Sequence, residues 1–308
     1  MRLRWSSWSS WTSIGPRGLL QRRASPSGAL RRFKGGCVIE FQDVGVVYAG
    51  SDSPALTGVS LSVAPGQWVA LLGANGSGKS TLARLANALI LPTTGAVHVD
   101  GMDTRDESVV WDVRSRVGLV QQSPENQIVG TIAEEDVAFG PENLGIPTAE
   151  LRTRVDAALS AVGLDGFQRR EPHLLSEGQK QRLAIAGALA MRPAYLVLDE
   201  PTAMLDGTGR ADVLAIVRSL RASGVGILHI THHLADIASA DRAAVLDSGA
   251  IVFEGTPADL FADPGRVRRL GIGLPPMTTL VSVLRERGHA VPATTVEAES
   301  LVESLWPS

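Results

Sequence analysis

Gly73-Ala-Asn-Gly-Ser-Gly-Lys-Ser-Thr81 follows the apolar run Trp68-Val-Ala-Leu-Leu72 and precedes a stretch with helical spacing. That is G-x-x-x-x-G-K-[ST] in strand–loop–helix context, the setting in which the motif can act. Glycines at 73, 76 and 78 let backbone N–H groups turn inward and approach phosphate oxygens with no Cβ in the way. The helix that follows aims its positive end at the same anion. Lys79 reaches toward the β- and γ-phosphates, Ser80 offers a hydroxyl to Mg²⁺, and Asn75, Ser77 and Thr81 complete the cradle. The chain has only three lysines, at 34, 79 and 180, and otherwise takes its positive charge from arginine. One of the three occupies the slot that needs a compact ammonium rather than a planar guanidinium. The stretch predicts binding of a nucleoside triphosphate.

With 308 residues, 44% hydrophobic and 20% charged, the chain can bury a full core as one large domain or two. No apolar run approaches the roughly 18 residues of a membrane helix, so any service to a membrane comes from its side. A single cysteine, Cys37, excludes an internal disulfide. The net charge of −3 hides an asymmetry, because residues 1–39 hold eight basic side chains and no acid. The remainder is markedly acidic, which argues against nonspecific nucleic-acid binding.

Residues 1–37 are rich in Ser, Gly, Pro and Arg and carry Trp5, Trp8 and Trp11. Three readings stay open for them: an organellar transit segment, a basic amphipathic segment touching anionic lipid, or a disordered tail or upstream start-site extension. Residues 38–48 and 55–63 alternate like strands, and Pro65-Gly66 turns the chain into the strand before the phosphate loop. A helix is expected over 80–91, a short strand over 95–101, and helical structure from about 132 to 191. Residues 195–199 and 226–231 read as buried strands joined by a helix at 207–223, and 243–254 as a hairpin closed near Ser248-Gly249. Two helices are expected after Pro275. Met277, Leu280, Val281 and Leu284 share a face of the first, and Thr294-x-x-Glu297 is a capping box opening the second. Strands alternating with helices give an α/β core with a parallel sheet.

Leu196-Val-Leu-Asp-Glu200 is a buried strand ending in two carboxylates. Paired with an upstream phosphate loop, Asp199 would hold Mg²⁺ through water opposite Ser80, and Glu200 would orient or deprotonate the attacking water. His229, His232 and His233 do not complete a tetrahedral metal site, since no Cys or carboxylate set joins them. Leu175-Ser-Glu-Gly-Gln179 is another helix N-terminus with Ser and Gly backbone donors.

This last stretch resembles the LSGGQ signature of ABC ATPases, and Lys180-Gln-Arg-Leu-Ala-Ile-Ala continues as those proteins do. The resemblance implies a P-loop NTPase, specifically an ABC nucleotide-binding domain. Such a domain has a RecA-like core, an antiparallel β subdomain, a helical signature subdomain and here a short C-terminal helical tail. Its expected limits are 38–270 for the ATPase domain, with the helical subdomain at about 132–191, and 271–308 for the tail. By the same resemblance Ser176, Gly178 and Gln179 close over ATP held by an opposite protomer, and Asp206, in Ala203-Met-Leu-Asp206, belongs to the D-loop. Gln122 would sense Mg²⁺ and couple to a membrane partner, and His232 would contact the γ-phosphate. Tyr48 lies where ABC proteins place an aromatic to stack adenine, although a core strand tyrosine is a rival reading.

Residues 123–143, Ser-Pro-Glu-Asn-Gln-Ile-Val-Gly-Thr-Ile-Ala-Glu-Glu-Asp-Val-Ala-Phe-Gly-Pro-Glu-Asn, resemble the ATPase subunits of energy-coupling factor (ECF) transporters. Residues 198–206, the stretch Glu254-Gly-Thr-Pro257 and the helical tail fit the same family. It implies ATP and Mg²⁺ as cofactors and a second ATPase subunit, like or unlike, as partner. A transmembrane scaffold subunit, a substrate-binding membrane subunit and a place on the cytoplasmic face of the membrane are implied as well. The cargo would be a vitamin or a transition-metal ion such as cobalt or nickel. Another ABC transporter class, or a soluble ABC ATPase, is the alternative. A GTPase is excluded, since none of the three lysines lies in Asn-Lys-x-Asp.

The chain departs from the family at Gln121, where an aromatic is common, and at Glu177, where glycine is usual. Two like unit charges about 4 Å apart repel by about 4 kcal/mol at an effective dielectric near 20. Either Glu177 therefore points away from the phosphates, or the site it completes is slow; the second case suits a heterodimer with one weak site.

Overall fold

The computed structural model describes residues 38–270, 272, 276–292 and 298–306. Residues 1–37 and the expected Thr294–Glu297 capping box lie outside them. A parallel sheet forms the centre, with strands β3 (Trp68–Leu72), β6 (Val117–Val120), β7 (Tyr195–Asp199), β8 (Gly226–Ile230) and β9 (Arg242–Asp247). Its spatial order is β10-β9-β3-β8-β7-β6, and β10 (Ala250–Gly255) adds an antiparallel edge. All five residues of β3, β7 and β8 are buried. That is why their sequences read as continuous apolar runs instead of alternating.

A second, antiparallel sheet runs β2-β1-β4-β5, from β1 (Ile39–Val46), β2 (Leu56–Val63), β4 (Thr94–Val99) and β5 (Met102–Asp103). Ile39, Phe41 and Val44 on β1 and Val59, Leu61 and Val63 on β2 alternate inward. They pack with Val69 and Leu71 of the central sheet and with Leu82 and Leu85 of α1 (Lys79–Ala86). The opposite face of the central sheet, through Trp68, Ala70, Leu196 and Leu198, packs against α5 (Glu177–Ala190) and α6 (Gly207–Ala222). α3 (Ala133–Asn143) and α4 (Thr148–Ala161) lean on α5 and complete a helical group. α1 is thereby held between two sheets, with its N-terminus at the carboxyl end of β3.

The structure corrects several boundaries. α1 stops at Ala86, five residues short of the expected end. Ala88 has φ +55°, in the left-handed region, and Pro92 lies just beyond, so the chain leaves the helix there. A short helix, α2 (Val110–Arg116), precedes β6 where the sequence reading expects none. Helices α7 (Pro257–Phe261) and α8 (Pro264–Arg269) likewise follow β10 unexpectedly; a Thr256–Asp259 capping box opens α7. The β9–β10 turn has positive φ at both Ser248 (+48°) and Gly249 (+82°), the two-residue hairpin geometry that matches strand twist. In the tail, α9 (Pro276–Glu286) and α10 (Ala298–Leu305) meet through Val281, Leu284, Leu301 and Leu305, while Leu280 stays exposed.

Among the polar side chains sealed in this core is a histidine. His229 of β8 is fully buried and stacks on Trp68, with ring centroids 5.8 Å apart. Neither of its ring nitrogens has a hydrogen-bond partner among the described residues. Burial pushes its pKa down to about 4, against a weaker upward pull from Asp236.

Candidate ATP site

The loop between β3 and α1 takes its shape from glycines, two of which leave no room for a Cβ. Gly73 has φ +152°, and a Cβ there would lie 2.2 Å from the Leu246 carbonyl oxygen. Gly78 has φ +105°, and a Cβ there would lie 2.5 Å from the Ala55 carbonyl oxygen. Gly76 has φ +81° with open space around it, on the exposed rim beside Asn75. Lys79 is buried and its Nζ donates to the carbonyls of Gly73 and Ala74, both at 2.9 Å. The ammonium is thus folded into the loop and holds the concave backbone in place. Burial lowers its pKa, opposed by the nearby carboxylates of Glu200 and Asp199.

Asp199 closes β7 next to this loop. Burial raises its pKa, a hydrogen bond from the Ser80 side chain opposes the rise, and Glu200 adds a like charge. Its Oδ1 is buried without a hydrogen-bond partner. A buried carboxylate with an orphaned oxygen, beside a serine hydroxyl, is a set of hard oxygen donors suited to a divalent cation. Ser80 and Asp199 line an open cavity of about 150 Å³ together with Arg84, Gln122, Ser123 and Asn126. The donor set fits Mg²⁺, with Ser80 and Asp199 as the residues that would hold it.

Glu200 follows at φ +53°, an uncommon conformation for a residue with a side chain. Its N–H donates to the Ile230 carbonyl at 2.9 Å, and its largely buried carboxylate pairs with Nδ1 of His232. The two residues come from different strand ends, β7 and β8, brought together because those strands are neighbours in the sheet. Strain at Glu200 is what turns the second carboxylate toward His232 instead of continuing the strand.

Tyr48 lies two residues beyond β1, 40% exposed, with its hydroxyl 3.0 Å from that of Thr81. It is no core tyrosine, and the Thr81 hydroxyl is engaged with it. Ser77 is buried, its hydroxyl unpartnered. Ser176, Gly178, Gln179 and Asp206 form a group of their own. Ser176 and Gln179 make a reciprocal capping box: Gln179 N–H donates to Ser176 Oγ (3.3 Å) and Ser176 N–H donates to Gln179 Oε1 (3.0 Å). Gly178 adjoins Gly209 at the start of α6, where Asp206 caps that helix by accepting from Gly209 N–H at 2.7 Å.

Sequence reasoning missed the residues that hold the Gln122 loop. Gln127 accepts from Gln121 N–H (2.7 Å) and donates to the Leu119 carbonyl (2.9 Å), closing residues 121–127 into a loop. Asp136, buried and with its pKa raised by that burial, accepts from the N–H groups of Val129 (2.7 Å) and Gly130 (3.0 Å). An amide that bridges a donor and an acceptor six to eight residues away follows no periodicity, so no spacing rule exposes it.

The chain has relatives among known proteins. Residues 56–203 match the model of the ABC transporter family. Over 252 residues the chain is 56% identical to an energy-coupling factor transporter ATP-binding protein, EcfA1, of Symbiobacterium thermophilum, covering 82% of this chain and 88% of that one. It is 45% identical to the cobalt import ATP-binding protein CbiO of Syntrophus aciditrophicus, over 88% and 98% of the two chains. Among solved structures, cbiO1 of Clostridium perfringens, part of the complex cbiONQ, superposes with a TM-score of 0.69 at 31% identity over 80% of this chain and 100% of its own. A dimeric, post-hydrolysis ATP-binding cassette bound to ADP and Pi gives 0.65 at 28% identity, over 71% and 98%. A phosphate loop fixed by its own lysine, an acid pair at the neighbouring strand and relatives of this closeness leave one conclusion: the chain belongs to the ABC ATPases, as an ATP-hydrolysing ATP-binding subunit of the energy-coupling factor type.

Proposed function

We propose that two such subunits, this chain and a like or unlike partner, sandwich ATP and drive an ECF-type importer from the cytoplasmic face of the cell membrane. The backbone of residues 73–78 and Lys79 hold the triphosphate, and Tyr48 offers an exposed ring to the adenine. Mg²⁺, bound by Ser80 and Asp199 with Gln122 nearby, supplies charge neutralisation across the phosphates. Glu200 takes the proton of the attacking water, and His232, paired with it, holds the carboxylate and reaches the γ-phosphate. The Ser176–Gln179 end of α5 and Asp206 lie together and serve the site of the opposite subunit. The dimeric relative bound to ADP and Pi supports that arrangement. A transmembrane scaffold subunit and a substrate-binding membrane subunit complete the transporter; no helix among the described residues is long and apolar enough to cross a membrane. The cargo is a vitamin or a transition-metal ion; a cobalt importer's subunit among the relatives supports the metal end of that range.

The observation that carries the reading is the segment after Gln122. It leaves the ATP cavity, is pinned by Gln127 and Asp136, and presents Val129 (61% exposed) and Phe139 (53% exposed) to solvent. Exposed apolar groups on this loop and on the helix α3 that follows it suit contact with a membrane partner. Co-purification from native membranes tests it: integral membrane subunits should accompany the chain, and recovery with soluble proteins only would overturn it. Val129→Asp should cut transport at least about tenfold, the scale of a truncated interface anchor. The isolated subunit should still hydrolyse ATP. Ile128 is the poorer probe, because it is half-buried against the main core.

A further inference from the structure

Glu177 puts a carboxylate in the first turn of α5, at the end of the helix that the reading above aims at the opposite ATP. The structure shows where that charge goes. Lys180, one turn along the same face, has its ammonium 2.9 Å from the Glu177 carboxylate and also paired with Glu125. Lys180 is largely buried, while Glu177 and Glu125 are about half and two-thirds exposed. The fixed partner is therefore the ammonium, and the two carboxylates are arranged around it. The pair gives the Glu177 carboxylate a cationic partner within its own helix turn, which offsets the charge it brings to the helix end. The Ser176–Gln179 capping box uses the Gln179 N–H, so the N–H groups of Glu177 and Gly178 keep their place at the open end.

The second arm has its own destination. Glu125 belongs to the short turn Pro124–Asn126, which begins two residues after Gln122 and is closed by Gln127. One buried cation thus holds both the signature end of α5 and the loop that carries Gln122 into the ATP cavity. Lysine is scarce in this chain, and a guanidinium would spread its contacts over a plane where a point charge is shared between two carboxylates.

We propose that Lys180 is a positioning residue for ATP binding: it masks the Glu177 carboxylate that this chain carries in its signature turn, and it ties that turn to the Gln122 loop through Glu125. The inference rests on the reading of this chain as half of an ATP-sandwiching pair. Without Lys180, two carboxylates remain at the mouth of an anion site with no cation between them, and the loss falls on nucleotide affinity before it falls on chemistry.

The test is a cycle of Lys180→Gln and Glu177→Gly in the assembled transporter, reading KM for ATP and kcat separately. Lys180→Gln should raise KM about three- to fivefold, as loss of a partly exposed charge pair does, with a smaller change in kcat. In the Glu177→Gly background the same substitution should shift KM by a clearly smaller factor, because the charge it masked has gone and only the tie to Glu125 remains to be lost. Lys180→Arg should recover part of the loss, and the effect of Lys180→Gln should shrink as salt is raised. Lys180→Met, which keeps the buried stem, serves the same cycle if the amide variant does not assemble. An unchanged KM, or an equal shift in both backgrounds, overturns the inference while ATP hydrolysis by the wild-type complex leaves the parent reading standing. A wild-type complex with no ATP hydrolysis overturns both.

Discussion

Glu200→Gln is expected to lower ATP turnover about 10²- to 10⁴-fold, the range for loss of a positioned general base, while ATP still binds. The amide matches the carboxylate in shape, so the strained backbone at φ +53° and the contact to His232 can persist. What it loses is basicity: an amide cannot take the proton of the attacking water. One negative charge also leaves the edge of the triphosphate site, so the ATP-bound state should accumulate as a closed dimer. Steady-state hydrolysis and size-exclusion chromatography with ATP check both halves. Hydrolysis at the wild-type rate would remove Glu200 from the chemistry.

Lys79→Ala should fail at the earlier step, with nucleotide affinity falling about 10- to 100-fold, since hydrogen bonds to charged groups contribute about 1.5–3 kcal/mol each. The ammonium does two things. It presents a charge to the phosphates, and its two 2.9 Å bonds to the Gly73 and Ala74 carbonyls hold the loop concave. Alanine removes both, and leaves two carbonyls turned inward without a donor. Equilibrium titration with a fluorescent ATP analogue separates this variant from Glu200→Gln. Equal affinities for the two would contradict the division of labour between loop and strand end.

The phosphate loop, the acid pair and the buried strands of the parallel sheet were readable from residues, because each rests on a local rule, whereas the separate antiparallel sheet was implied only by the family resemblance. Gly73 and Gly78 stand where a Cβ would strike a carbonyl oxygen, and the buried strands are continuous apolar runs. Ser248-Gly249 closes its hairpin for equally local reasons. The misses are tertiary. α1 ends early because Ala88 adopts a left-handed conformation that its side chain does not favour. Gln127 and Asp136 hold the Gln122 loop with bonds whose partners no pattern announces. Glu177 was legible as a departure in charge; only the structure supplied the cation that receives it.

His229 gives the fold a sensitivity separate from its catalysis. The native core keeps this imidazole neutral down to about pH 4, whereas an unfolded chain takes up the proton near pH 6.5. Between those values the unfolded state binds more protons, so unfolding consumes acid and stability falls as pH drops through 6.5 toward 4. The loss amounts to about 2 kcal/mol by pH 5. Urea midpoints at pH 7 and pH 5 measure it, and His229→Leu should flatten the difference by that amount; an unchanged difference would place the proton uptake elsewhere. The central sheet is therefore coupled to bulk acidity through a buried group that lies outside the catalytic chemistry.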